Sequence, residues 1–217
     1  VVWPHLRLLL IGASVTAWVS VVSILAGLAI GVLVCAARLS ASRTLRGLAV
    51  AWVSFFRGVP LLVLLLLIYN MLPVVGLVVP GIVAALVGLT LCTSAYQAET
   101  LRGGFVSVGT GLIEAARMTG MTGRQILLRI RLPIALRLVY PAVLNEAVMI
   151  LKASSLVSVV GVGELTRAAQ NLQAATYRPL EAYAMAGGIY LALNILLSAG
   201  GSGLGRMLGG ARMRLAQ

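Results

Sequence analysis

No aspartate occurs among the 217 residues, and the chain holds one histidine, one lysine and two cysteines. Enzymes that work inside membranes need clustered His, Asp, Glu or Cys for metal, acid–base or nucleophilic chemistry. The lone histidine, His5, is a solvated residue near the N-terminus, and no His-Glu-x-x-His pair is present. No metal site is therefore expected, and no residue takes a catalytic role. A Gly-x-x-x-x-Gly-Lys-Ser/Thr loop is also missing, and the single lysine, Lys152, lies in an apolar stretch, so the chain cannot cradle ATP phosphates in the usual way. Cys35 and Cys92 both sit among apolar neighbours, where a thiol acts as a small hydrophobe, and they fix no redox compartment.

Charge is scarce as well. Only 10% of residues are charged, against roughly 25% in soluble domains, while 60% are hydrophobic and the mean hydropathy is +1.05. Lipid is the solvent these numbers describe. A span needs about 20 apolar residues in helical form, because every backbone group must be satisfied internally. Five segments qualify, at approximately 8–35, 55–72, 81–101, 137–160 and 183–205. The apolar run over 8–37 is too long for a signal-peptide core and reads as a retained helix. The expected fold is an all-α integral membrane protein with five transmembrane helices, one transmembrane domain over residues 1–217.

The formal charge of +12 raises the question of nucleic acid, and the placement of the basic residues answers it. Arg38, Arg43 and Arg46 form one cluster; Arg102, Arg117, Arg124, Arg129, Arg131 and Arg137 a second; Arg206, Arg212 and Arg214 a third. All lie just outside apolar segments, and none is interleaved with aromatics as in nucleic-acid domains. Short cytoplasmic loops carry the Lys/Arg excess, which places 36–54, 102–136 and the C-terminal tail inside. Loops 73–80 and 161–182, poor in net charge, face outside. The N-terminus is then outside and the C-terminus cytoplasmic. Gly27 and Gly31, four apart, suit close packing within the chain, and the glycines at 200, 201, 203 and 205 are expected to loosen or kink the last helix.

Loop 102–136 is long for a connection in a compact membrane protein, and such loops are usually functional. Leu112–Thr119 can form a short helix, Gly120 suits its C-terminal cap, a second helical run follows over Gln125–Ile130, and Pro133 sits where a new helix would start. Glu114-Ala115-Ala116, three residues, Gly120, nine residues, then Ile130-Arg131-Leu132-Pro133 matches in full the EAA signature. The chain resembles the permease subunits of ATP-binding-cassette (ABC) importers. Within them it is similar to the polar amino-acid uptake branch, through Phe56-Arg57-Gly58-Val59-Pro60-Leu61-Leu62, Ser94-Ala95-Tyr96-Gln97-Ala98-Glu99, Arg102-Gly103-Gly104, Leu151-Lys152, Ser154-Ser155-Leu156 and Gly161-Val162-Gly163-Glu164-Leu165-Thr166-Arg167. It departs from the branch at Leu112 (usually Gln), Ala153-Ser154 (usually Asp-Thr), Gly163 (usually Pro) and near Gly209 or Gly210 (usually acidic).

The resemblance implies a type I importer fold in the bacterial cytoplasmic (inner) membrane. It also implies two permease subunits, identical or paired with a similar partner, two ATPase subunits that bind ATP and Mg, and an external solute-binding protein. No cofactor is implied in this chain. The short helix would lie across the membrane in a groove of the ATPase: Glu114 would make a polar contact, Ala115 and Ala116 would keep the approach close, and Gly120 would permit the turn. Glu164 and Arg167 would open the surface, up to Thr176, on which the binding protein docks. A stand-alone channel or secondary transporter would not require the EAA segment, whereas an amphipathic helix lying on lipid headgroups is the bland alternative for it.

Ionisable side chains inside the membrane cost about 2.5–3.5 kcal/mol each on insertion scales, so they are functional or paired. Arg57 lies near the inner end of the second span, where its stem can snorkel. Glu99 has Arg102 three residues on, and pairing and substrate contact remain equal alternatives. Glu146 falls near mid-span, about 15 Å from Arg137 along a helix, with no opposite charge at three or four residues. Lys152, Asn145 and Ser155 share a stripe about 120° from Glu146 in the case of Lys152, so Glu146 looks to one side of it. In the resembled branch the position of Glu99 and those around 145–152 border the translocation path. Glu99, Asn145, Glu146 and Lys152 are thus the substrate-path candidates. Two intramembrane acids suggest a site for cationic amino acids such as arginine, lysine or histidine, with glutamine or glutamate as the alternative, and with a salt bridge from Glu146 to a neighbouring helix also open.

Overall fold

The computed structural model describes residues 5–74 and 76–210, and among them every regular element is helical. The order is α1 (Leu6–Leu39), α2 (Arg43–Gly58), α3 (Leu61–Val74), α4 (Gly81–Val106), α5 (Thr110–Met118), α6 (Gly123–Ile126), α7 (Leu132–Ala153), α8 (Leu165–Thr176) and α9 (Pro179–Gly210). A wide, five-residue π turn at Leu127–Arg131 joins α6 to α7, and a tight 3₁₀ segment, Ser154–Val160, extends α7. Four apolar helical runs are long enough to cross a membrane, and a bent pair makes a possible fifth. Arg212 and Arg214 of the tail lie outside the described residues.

That fifth span differs from the sequence expectation of one helix over 55–72. Its residues belong to α2 and α3, whose axes meet at 103°. Pro60 lacks an N–H and disfavours helical backbone in the residue before it, and Val59 is accordingly extended (φ −89°, ψ 128°). Much of the expected loop 36–54 is therefore helix, opened by the Ser42 hydroxyl accepting from Leu45 N–H at 3.5 Å. At 14 residues, α3 alone extends only about 21 Å by the helical rise, less than a bilayer core.

The bundle is organised around α1 and α4, which pack along each other's length. An added Cβ at Gly27 would come within 2.6 Å of Thr93, and one at Gly31 within 2.9 Å of Gln97, so glycine there sets the helix separation. Three apolar clusters follow the bundle axis. Leu9, Ala13, Leu165 and Leu172 close one end; Val19, Leu65, Leu89, Ile150 and Val157 fill the middle; Cys35, Val53, Leu101 and Val139 close the other. Both cysteines are buried and free.

The terminal glycines do not break α9, which runs on to Gly210. Instead Gly201 meets Leu144 and Gly205 lies under the Tyr140 ring, while the Tyr140 hydroxyl donates to the Gly201 carbonyl at 2.6 Å. Small residues bring α9 onto α7. The fourth span also ends earlier than residue 160 as a regular helix: α7 stops at Ala153, and the 3₁₀ segment runs to Gly161, whose φ of +81° only glycine takes without strain. Part of the expected loop 161–182 is the 12-residue helix α8.

Candidate functional site

A pocket of about 150 Å³ opens between α3, α4 and α7, lined by Leu61, Cys92, Thr93, Tyr96, Glu146, Met149, Ile150 and Ala153. Glu146 is its one carboxylate. The Thr100 hydroxyl donates to Glu146 Oε1, while Oε2 is buried without a hydrogen-bond partner in the chain. Among the described residues Glu146 makes no salt bridge. A buried acceptor left open costs about 1–3 kcal/mol or more when charged, so it is a place where an incoming cation is favoured.

Glu99 does not share this pocket. Arg102 donates to its Oε1 through Nε at 2.9 Å and also through Nη2, and Arg38, from the last turn of α1, lies 3.2 Å from Oε2. The pairing with Arg102 that the spacing suggested is present. The contact with Arg38, 61 positions away, had no local signal. With two guanidiniums on one carboxylate, Glu99 ties α1 to α4.

Lys152 and Asn145 are exposed, and neither lines this pocket. Lys152 lines a shallow groove between α7 and α9 with Leu144, Val148, Asn194 and Ser198. Of the four substrate-path candidates, only Glu146 lines the pocket between α3, α4 and α7. Arg57, expected to snorkel, sits at the end of α2 with its guanidinium carbon 5.2 Å from the centroid of the Tyr96 ring.

The segment carrying the EAA residues is built by local chemistry. In α5, Glu114 and Ala115 are exposed and Ala116 is buried. Gly120 adopts φ +78°, its N–H donates to Arg117 O at 2.9 Å, and Met121 N–H donates to Ala116 O at 3.2 Å, the paired bonds of a Schellman cap. Thr122 and Gln125 then form a reciprocal capping box that starts α6. Pro133 lies where its position predicts, in the first turn of α7, directly after the π turn, where the wider spiral relieves the clash a proline ring makes with the preceding turn. Arg131 Nη2 donates to the Phe105 carbonyl at 3.3 Å and so holds this segment against the end of α4.

At the opposite end Glu164 is completely buried. Its Oε1 accepts from Arg167 N–H at 2.8 Å; its Oε2 accepts from Thr166 N–H at 2.8 Å, Tyr190 OH at 2.8 Å and, more weakly, Thr16 Oγ1 at 3.4 Å. Sequence reasoning put Glu164 on a docking surface, but in the chain it is the N-cap of α8 and its anchor to α1 and α9. Arg167 is exposed. The sign available in the sequence was the position of an acid directly before a helical run.

A multi-pass helical bundle with a broken helix, an intramembrane carboxylate pocket and a protruding two-helix loop is a transport architecture. Residues 23–206 match the family of binding-protein-dependent transport system inner membrane components. The chain is 34% identical over 199 residues to the glutamine transport system permease protein GlnP of Escherichia coli (strain K12), covering 91% of each. It is 34% identical over 206 residues to the arginine transport system permease protein ArtQ of Bacillus subtilis (strain 168), covering 94% of each. A crystal structure of an amino acid ABC transporter with histidines superposes with a TM-score of 0.89 at 33% identity, over 94% of this chain and 95% of that one. The chain belongs to the family of binding-protein-dependent inner membrane transport components, with the type I ABC importer fold. It is a multi-pass permease subunit and not an enzyme; in these systems the ATPase is a separate chain.

Proposed function

We propose that the chain is the permease of an ATP-driven importer of polar amino acids, with Glu146 as the carboxylate that meets the substrate's cationic group and with cationic amino acids, arginine foremost, as substrates. The observation that carries this reading is the pocket carboxylate whose second oxygen has no partner within the chain. A ligand bringing its own cation would complete it, whereas an apolar or anionic ligand would leave it unsatisfied.

A second reading takes support from the glutamine permease among the relatives. There Glu146 would hold the α-ammonium, which every amino acid carries, and the pocket would not select for a charged side chain. Replacing Glu146 by Gln separates the two. A fall in the ratio of arginine to glutamine uptake supports cation selection; equal loss of both assigns Glu146 to the α-ammonium; an unchanged rate and ratio would remove it from the site.

The assembly that fits is two permeases, two ATPases binding ATP and Mg, and one external solute-binding protein. The arginine-rich end with α5 and α6 is cytoplasmic and meets the ATPase through Glu114, Ala115, Ala116 and Gly120, with Pro133 at the base of the loop. The end with α8 is external, and Arg167 with the exposed face of α8 meets the binding protein. ATP-dependent uptake lost on Glu114→Arg, with the permease still in the membrane, tests the inner assignment.

A further inference from the structure

Buried polar side chains are concentrated on α1 and α4. Thr16, Ser20 and Ser23 of the first helix and Thr93, Ser94 and Gln97 of the second are each no more than 1% exposed. In an apolar setting every such polar atom needs a partner. Four of the hydroxyls find one on their own helix: Thr16 donates to the Gly12 carbonyl, Ser20 to Thr16, Thr93 to Leu89 and Ser94 to Leu91, at 2.7–3.1 Å. Ser23 and Gln97 do not. The Ser23 hydroxyl has no partner within the chain, and neither Nε2 nor Oε1 of Gln97 has one. A wholly buried amide in that state carries the desolvation penalty of a donor and an acceptor together.

These unpartnered atoms lie along one seam. An added Cβ at Gly31 would come within 2.9 Å of the Gln97 Cβ, and one at Gly27 within 2.6 Å of Thr93, so α1 and α4 run in the same direction, with Gly27 against Thr93 and Gly31 against Gln97. Ser23 stands one turn before Gly27 on the same face of α1. The Cα–Cβ bond of Gln97 tilts toward the N-terminal end of α4, and so toward Thr93 and the level of Ser23. Gln97 is not among the residues lining the Glu146 pocket, so the seam is a separate place.

The chemistry of the unpartnered atoms names the occupant. Gln97 presents an NH₂ donor and a carbonyl acceptor, and Ser23 a hydroxyl that can do both. A cation would be opposed by the Gln97 NH₂ and an anion by its carbonyl, while a larger solute has no room between helices packed this closely. Water both donates and accepts, and it is the smallest ligand that satisfies two to four such groups. We infer that the α1–α4 seam holds ordered water bound to the Gln97 amide and reaching toward Ser23, a buried site distinct from the Glu146 pocket. The water completes polar atoms that the fold itself leaves open. Two residues further along α4, Glu99 pairs with Arg38 and Arg102. The contact that organises the bundle is therefore hydrated at one level and ionic at the next, and its strength depends on a bound molecule as well as on packing.

The test uses the assembled permease–ATPase complex in lipid nanodiscs. A cryo-EM map, at a resolution where other buried waters are visible, is expected to show a peak within hydrogen-bond distance of Gln97 Nε2 or Oε1. Gln97→Met keeps the length of the side chain and removes both polar atoms, so the direction of its effect on stability separates a wet seam from a dry one. With water bound, the variant gives up satisfied hydrogen bonds, and its thermal midpoint is expected to fall by roughly 2–4 °C. With a dry, unpaired amide, the same change removes a desolvation penalty, and the midpoint rises. Ser23→Ala combined with Gln97→Met tests the reach of the site: a shared water makes the double variant fall by less than the sum of the two single shifts. A map that shows other buried waters but none at Gln97 overturns the site, as does an unchanged or raised midpoint in Gln97→Met. Additive shifts in the double variant overturn the link to Ser23.

Discussion

Removing the Glu164 carboxylate should release α8 from the bundle, and the size of the effect can be worked from its contacts. Glu164→Ala deletes a helix N-cap, worth about 1 kcal/mol and up to about 2. It also strips the buried Tyr190 hydroxyl and two α8 N–H groups of their acceptor. The cap value already counts the two N–H groups, and Tyr190 keeps Thr166 at 3.0 Å, so losing its carboxylate acceptor adds about 1 kcal/mol. The sum is about 2–3 kcal/mol of local stability, which corresponds to roughly thirtyfold to a hundredfold faster opening of the first turn of α8. Asp in place of Glu keeps the cap but is too short to reach Tyr190, and should cost less than half as much. Amide hydrogen exchange on the purified protein, followed over Leu165–Arg167, reads this directly. Exchange in Glu164→Ala within threefold of wild type would refute the anchoring role and return Glu164 to the surface role that the sequence suggested.

The remaining predictions concern other joints of the bundle. Glu99→Gln leaves Arg38 and Arg102 facing each other across α1 and α4, so it should reduce the yield of folded protein in the membrane more than Arg102→Gln, which leaves one ion pair intact; fluorescence-detected size exclusion ranks the two. Gly27→Val places a branched side chain where one Cβ is already 2.6 Å from Thr93, and should lower stability by about 1–3 kcal/mol by forcing the helices apart, seen as a lower thermal midpoint of the assembled complex. Gly120→Val requires φ near +78° from a β-branched residue, a cost of about 1–3 kcal/mol at the end of α5. ATPase activity that persists while uptake falls is the expected result, since the strain acts on the loop and not on the substrate pocket.

Local pattern carried much of this structure and stopped where contacts between distant residues began. The apolar segments, the short helix ending at Gly120 and the Glu99–Arg102 pair all follow from spacing within one turn or one span. The broken second span was signalled by Gly58 and Pro60, yet the uninterrupted hydrophobicity from Val59 to Ile68 outweighed that sign, because hydropathy records length and not direction. The arginines of 36–54 mark that stretch as a linker by charge, although Arg43 to Arg57 carry the amphipathic spacing of α2. Arg38 and Glu99, like Glu164, Thr16 and Tyr190, meet only once α1, α4, α8 and α9 have packed, and no periodicity within one helix reports such a meeting. Asn145, Glu146 and Lys152, neighbours on one helix, could not be sorted by depth from sequence; α7 brings Glu146 to the pocket beside α4 and Lys152 to the groove beside α9.

The most direct test is uptake of labelled arginine, lysine, histidine, glutamine and glutamate into cells with and without this chain, its natural partners present. Selective loss of arginine, lysine and histidine uptake when the chain is removed is the predicted result. Loss of glutamine or glutamate uptake alone would contradict cation selection at Glu146, and uptake of all five unchanged would contradict amino-acid import by this permease.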